Sequence, residues 1–365
     1  MMRRVGSVSA KQQPSIVIYR PADESGASHG RLKAAGCRLR IVGEGEDLAS
    51  ALGAAAPVHA LLASSLRGFR LDAASLALLP DLRIVAKYSI GYDDVDVEAA
   101  SARGILVTHC PTEANYGGVA EGTIALMLAL LKKIGARDRA VRSGAWRSDA
   151  LRGTYVGARE DGYPGIVFGI VGLGRVGRRV ADLLSPWNVR LIAADPYIGP
   201  EVFARHGAEA VALEDLLRRA DVVSLHCPLT GETRGFIDKA RVSLMQPHAI
   251  LINTARGQIV DVDAVCDALA AHRLGGAAFD VLPEEPPPAA AKILATDERV
   301  ILSPHMIAAN TGGTLGPAVP WATEAVLAAL AGRVPEHLVD GGAVAAWQRK
   351  FGGRSLLAAG IGPSG

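Results

Sequence analysis

Short apolar runs alternate along this chain with stretches whose apolar positions recur at helical spacing. Residues 15–19, 58–63, 83–87 and 106–108 read as strands. Residues 30–36 and 95–103 read as helices that end near glycine. A long helix is expected from near Val119, past Lys133 and towards Trp146. Residues 147–165 mix Gly, Arg, Asp and Pro, as a surface connection does. A second series then begins, with strands expected at 166–171, 190–194, 222–225, 249–253, 276–279 and 300–302. Strands that alternate with helices in this way build parallel sheets wrapped by helices. The proline-rich stretch 283–288 reads as a rigid loop. After Val339 periodicity fades into Gly, Ala and Ser, so the tail is expected to be loosely ordered or to fold only against a partner.

Composition narrows the class. The 365 residues suit two domains, and 49% apolar with 21% charged residues is an ordinary globular balance. A formal net charge of +2 gives no global field towards nucleic acid or an anionic membrane, and neither is expected as a partner. No uninterrupted apolar run reaches spanning length, and 123–131 reads as a buried helix segment. Cys37, Cys110, Cys227 and Cys266 lie far apart with no CxxC pair. That spacing suits neither a metal site nor a disulfide framework, and points to reduced thiols in a cytoplasm. The opening 14 residues carry arginines without an apolar core, unlike a signal peptide.

The sharpest local signal lies where the strand at 166–171 runs into Gly172-Leu173-Gly174-Arg175-Val176-Gly177, with a helix expected over 178–184. In such a turn the first glycine permits the tight bend and the second lets backbone approach a pyrophosphate. The third allows close helix packing. Backbone N–H groups and the positive helix end then hold the phosphates. Asp195 ends the next strand at the spacing of an acid that reads the ribose hydroxyls. Pro196 and Tyr197 follow it with no arginine to take a 2′-phosphate, so the ligand expected is NAD rather than NADP.

Three later strand ends carry Asn253-Thr254-Ala255-Arg256-Gly257, Asp280-Val281-Leu282-Pro283-Glu284-Glu285-Pro286 and Ser303-Pro304-His305. With Tyr88-Ser89-Ile90-Gly91-Tyr92-Asp93-Asp94-Val95-Asp96, Val119-Ala120-Glu121 and His226-Cys227-Pro228-Leu229-Thr230, this chain resembles the D-isomer-specific 2-hydroxyacid dehydrogenase family from about Ile84 to Val339. The resemblance implies a reversible hydride transfer between NAD(H) and C2 of a small D-2-hydroxy or 2-keto acid. Arg256 would grip the substrate carboxylate, His305 would move a proton at the carbonyl oxygen, and Glu285 would fix the imidazole. It places Ser89, Ile90 and Gly91 on the substrate. Gly172, Gly174, Arg175, Val176, Gly177, Asp195, Pro228, Thr233, Thr254 and Asp280 would contact the cofactor. Lys87 and Tyr88, beside the substrate loop, are further candidates for substrate contact. His109 and His226 match no catalytic position.

The implied architecture is α/β: two Rossmann-like domains, one flavodoxin-like and one NAD-binding, with parallel sheets and a cleft between them. The substrate domain would take 1–118 and 307–340, the NAD domain 119–306, and a tail 341–365, in a cytoplasmic homodimer. Two positions depart from the family pattern. Gly122 stands where histidine is common after Ala-Glu, and Ile307 follows Met306 where a small residue is usual. Two rivals share the scaffold: a phosphite- or formate-type dehydrogenase, the latter disfavoured by Glu285, and a non-enzymatic NAD-sensing corepressor.

Overall fold

The computed structural model of the chain describes residues 13–43, 45–66, 68–311 and 315–357. Most of the opening segment read as lacking a signal peptide (1–12) and the end of the tail (358–365) lie outside the described residues. The chain divides into two compact units, Met1–Asn115 with Thr311–Gly365, and Tyr116–Asn310.

The first unit holds β1 (Ser15–Tyr19), β2 (Arg38–Ile41), β3 (Ala60–Ala63), β4 (Ile84–Lys87) and β5 (Leu106–Thr108). They form one sheet in the order β2-β1-β3-β4-β5, with every pair parallel. Successive side chains point to opposite faces of a strand. Ile16, Ile18, Leu62 and Ile84 accordingly enter one core with the Ala318–Leu330 helix, while Val17, Leu61 and Val85 enter another with Leu48, Leu52 and Leu76. Both faces are covered, which is why the central strands read as unbroken apolar runs.

The tail departs from expectation. Val344–Phe351 is a helix, and Trp347 on it is fully buried in the core under β1 and β4. Its indole Nε1 donates to the Arg83 carbonyl at 3.0 Å, and Phe351 lies beneath the Arg83 guanidinium at 4.8 Å. Two aromatic rings four residues apart share a helix face and meet the sheet together. The segment is therefore ordered by its own chain as far as Leu357, itself a core residue.

The second unit carries β6 (Val167–Val171), β7 (Arg190–Ala194), β8 (Ala208–Ala210), β9 (Val222–Leu225), β10 (Ile250–Asn253), β11 (Gly276–Phe279) and β12 (Val300–Leu302). The sheet runs β12-β11-β10-β9-β6-β7-β8, again parallel throughout. It has one strand more than expected, the short edge strand β8. The expected long helix is two: Glu113–Leu131 and Ile134–Arg142, separated where Lys133 takes φ 53°. Thr154 N–H donates to the Leu131 carbonyl at 2.8 Å, which ends the first helix. Among the described residues, Glu113–Leu131 is the one helix long and apolar enough to cross a membrane. It buries Ala120, Gly122, Leu126, Met127 and Leu131 within the protein. The 147–165 connection is largely exposed but fastened to its own unit. Val156 accepts from Ile166 N–H at 2.9 Å, and a Cβ on Gly157 would lie 1.9 Å from the Trp187 carbonyl oxygen.

Candidate functional site

In the second sheet the chain leaves β6 for β7 and β8 on one side, then returns to β9 on the other. Ligands of such sheets bind beyond the carboxyl ends of the strands at this reversal. The glycine turn sits there, and each glycine has a distinct steric reason. Gly172 takes φ 90°, and a Cβ on it would lie 2.7 Å from the Cys227 nitrogen after β9. Gly174 caps the helix with open space where its Cβ would be. A Cβ on Gly177 would stand 2.3 Å from the Gly172 carbonyl oxygen. The helix starts at Arg175, three residues earlier than the pattern suggests, so Arg175 and Val176 form its first turn. Free N–H groups in that turn, a positive helix end and the bare Gly174 suit a pyrophosphate.

Asp195 follows β7. Its Oδ2 accepts from Leu173 N–H at 2.9 Å and its Oδ1 from Tyr197 N–H at 3.0 Å. The carboxylate is thereby tied to the glycine turn itself. Beyond β9, Thr233 Oγ1 donates to the Pro228 carbonyl at 2.6 Å and accepts from Thr230 N–H, folding 228–233 into a tight loop. Thr254 Oγ1 meets Thr123 Oγ1 at 3.1 Å and is buried. His226, between the strand and this loop, bonds Ser224 at 2.9 Å, and burial pulls its pKa down to about 3. The imidazole is half-buried and tied back to its own strand.

Arg256, Glu285 and His305 are supplied by the ends of β10, β11 and β12. After β10, Asn253 clips the turn at both ends: its Oδ1 accepts from Ala255 N–H and its Nδ2 donates to the Arg256 carbonyl. This role for Asn253 was not foreseen from the sequence. Gly257 admits the next loop, since a Cβ there would lie 1.9 Å from the Leu282 carbonyl carbon. Gln258 Nε2 then donates to the Pro283 carbonyl at 2.8 Å. The acid-bearing loop is thus held against the arginine-bearing turn. Glu285 Oε1 accepts from Leu282 N–H at 3.0 Å, and Oε2 meets His305 Nδ1 at 2.7 Å. Burial pushes the Glu285 carboxyl upward. The bond to His305, the Leu282 amide and the Arg256 charge outweigh it and hold the pKa below the ordinary value. With Nδ1 committed, Nε2 is the ring nitrogen left for a substrate.

His305 adopts φ 57°, an uncommon conformation for a residue with a side chain. Asp280 holds it there. His305 N–H donates to the Asp280 carbonyl at 2.8 Å, and Oδ1 accepts from Met306 and Ile307 N–H at 3.0 and 3.1 Å. The Asp280 carboxylate, read from the sequence as a cofactor contact, spends this oxygen on the histidine turn.

In the first unit, Ser89 Oγ donates to the Ser64 or Gly91 carbonyl, 2.9 Å from each, and the Ile90 carbonyl lies 3.1 Å from His109 Nδ1. His109 therefore braces the loop. Ile90 and Gly91 are half-exposed, and among the described residues their amides donate to no protein acceptor. Lys87 and Tyr88, the further candidates beside the loop, are both buried. The Lys87 ammonium sits 2.8 and 2.7 Å from the two carboxylate oxygens of Asp94, which also accepts from Leu66 N–H. Burial lowers the Lys87 pKa and the Asp94 charge works against that shift. The pair ties the foot of the loop to its far end.

Comparison with known proteins agrees with this geometry. Residues 124–307 match the family model described as D-isomer specific 2-hydroxyacid dehydrogenase, NAD binding domain. A D-3-phosphoglycerate dehydrogenase of Mycobacterium bovis is 38% identical over 308 residues, covering 82% of this chain and 55% of that protein. This chain thus spans about half the length of such relatives. A glyoxylate reductase of Thermococcus litoralis is 36% identical, over 74% of this chain and 81% of that protein. Among solved structures, a D-lactate dehydrogenase from Aquifex aeolicus, complexed with NAD and lactic acid, superposes with a TM-score of 0.75 at 26% identity. It covers 86% of this chain and 94% of that one. Two parallel sheets, a glycine turn at the strand reversal and three strand-end side chains thus coincide with a sequence match over half the chain, and the chain belongs to the D-isomer specific 2-hydroxyacid dehydrogenase family.

Proposed function

We propose that this chain is an NAD-dependent dehydrogenase that interconverts a small D-2-hydroxy acid and its 2-keto acid. The observation that carries the reading is the 2.7 Å bond from Glu285 to His305 Nδ1, with the Arg256 charge close enough to lower the pKa of the same carboxyl. Bound NADH would supply a hydride from C4 of its nicotinamide to C2 of the keto acid, and NAD would accept it in the reverse direction. Everything else falls to the protein. The planar fork of Arg256 binds the substrate carboxylate through two parallel bonds and draws electron density from the carbonyl. His305 Nε2 donates a proton to the carbonyl oxygen during reduction and takes one from the hydroxyl during oxidation. Glu285 keeps the proton of the neutral ring on Nδ1. The amides of Ile90 and Gly91 serve as donors to the substrate carboxylate.

On the cofactor side, Gly172, Gly174, Arg175, Val176 and Gly177 hold the pyrophosphate. Asp195 accepts from the adenosine ribose hydroxyls and repels a 2′-phosphate. Pro228, Thr233, Thr254 and Asp280 line the remainder. The chain works as a cytoplasmic homodimer on small 2-hydroxy and 2-keto acids, without nucleic acid or membrane as a partner. Sedimentation of the purified protein checks the dimer.

The deciding experiment is the rate of NADH oxidation over a panel of glyoxylate, hydroxypyruvate, 3-phosphohydroxypyruvate and larger 2-keto acids. Turnover of at least one acid is expected. Tight NADH binding without turnover of any would move the chain to the class of NAD-sensing binding proteins.

A further inference from the structure

The Glu113–Leu131 helix carries glycine at three buried positions, 117, 118 and 122. Glycine inside a helix is unfavourable unless something needs the room. At Gly122 the need is plain. A Cβ there would lie 2.2 Å from Ile307 Cγ1 and 3.0 Å from the Ile307 carbonyl oxygen. One turn earlier, a Cβ on Gly118 would stand 2.9 Å from Asn310 Nδ2 and 3.1 Å from the Ala308 carbonyl oxygen. The segment 307–310 therefore lies directly on the helix backbone, and Ile307 packs against the core that contains Ala120 and Met127. This segment begins two residues after His305. Asp280 grips the same turn from the opposite end, through the amides of residues 305, 306 and 307.

We propose that Gly122 and Ile307 are a matched pair of positioning residues, in which the missing side chain of one seats the other and so fixes the left-handed turn that aims His305. The inference rests on the catalytic reading of His305. It also joins two separate oddities of the sequence, a glycine where histidine is common and bulk where a small residue is usual. Each accommodates the other. The bulk of Ile307 is taken up by the helix seat, whereas Met306 is 58% exposed.

The test uses four full-length proteins: wild type, Gly122→Ala, Ile307→Ala and the double variant. For each, kcat is expressed per NADH-binding site, with KM for a keto acid that the wild type reduces, NADH Kd by fluorescence, and the thermal midpoint. Counting binding sites removes the effect of unfolded protein. Gly122→Ala should lower kcat about tenfold or more, since displacement of a catalytic group by a fraction of an ångström has effects of this order. KM and NADH Kd should change less than about threefold. The double variant should recover most of the lost kcat, because removing Cγ1 and Cδ1 of Ile307 frees the space.

Alanine is also the better helix former, so without the clash Gly122→Ala would raise the thermal midpoint. A raised midpoint with unchanged kcat overturns the proposal. So does a lowered midpoint with unchanged kcat per site, which would make the pair packing alone. Should Gly122→Ala fail to fold, recovery of folded, active protein in the double variant supports the seat, and its failure sinks it. If the wild type reduces no acid at all, the enzymatic reading fails on its own. The seat is then judged by whether Ile307→Ala restores the midpoint that Gly122→Ala loses.

Discussion

Replacing Glu285 by glutamine isolates what its charge contributes. The amide keeps the length of the side chain, and its oxygen can still accept from His305 Nδ1–H. What disappears is one negative charge beside the ring. Opposite unit charges about 4 Å apart attract by roughly 1 kcal/mol in water and about 4 kcal/mol at an effective dielectric near 20. The His305 side chain is 50% exposed and that of Glu285 39%, so solvent screening places the pair towards the weaker end, at about 1–2 kcal/mol. At 1.36 kcal/mol per decade this is a five- to thirtyfold fall, approximately, in keto-acid reduction at neutral pH.

The direction with pH follows from which charged form is lost. The variant lacks the carboxylate charge, so its deficit should persist wherever the wild-type carboxylate is ionised. The wild-type carboxylate has a lowered pKa. Its contribution is therefore complete above the ordinary value of 4.5 and fades only as pH falls through the lowered one. Initial rates of NADH loss for both proteins from pH 5 to 8 measure this (an interval chosen to lie above that carboxylate range). Rates within about twofold of each other in that interval would refute the electrostatic role given to Glu285.

His305→Ala should cut turnover by roughly two to four orders of magnitude with NADH Kd nearly unchanged, and retained turnover removes the imidazole from the mechanism. Asp195→Ala should shift the kcat/KM ratio of NADH to NADPH towards NADPH; an unchanged ratio means that the ribose is read elsewhere. Trp347→Ala empties a fully buried site and strands the Arg83 carbonyl, so urea unfolding should show a loss of about 3–5 kcal/mol. A loss under about 1 kcal/mol would mean that the terminal helix is dispensable to the first unit.

The legible and the hidden parts of this fold differ in burial. Central strands such as β4 and β6 are covered on both faces, and their apolar runs announce them. The strands missed, β2 (Arg-Leu-Arg-Ile) and β8 (Ala-Glu-Ala), lie at sheet edges where polar side chains are tolerated and the pattern dissolves. The helix at Val344–Phe351 was obscured because eight residues, flanked by glycine and alanine, make too few turns to show a period. At the site, the glycine turn and the Arg-Glu-His set were readable from residue type and order. The pairing of Lys87 was hidden, because a lysine beside a substrate loop gives no hint that its side chain is fully buried on Asp94. The clip made by Asn253 and the seat made by Gly122 were unreadable for a similar reason, since both depend on backbone contacts between elements distant in sequence.

The split composition of the first unit bears on how the chain folds during its own synthesis. Ile16, Ile18, Leu62 and Ile84 face a core completed by the Ala318–Leu330 helix and Trp347. A ribosome adding roughly 5–20 residues per second takes about 10–40 s to cross the roughly 200 residues between β5 and that helix. For that interval one face of the emerged sheet stays bare while the second unit, contiguous in sequence, can close. The nascent chain thus presents sticky apolar strands that wait for residues 318–357 to cover them, and chaperone engagement should concentrate on residues 15–108 until that segment has emerged.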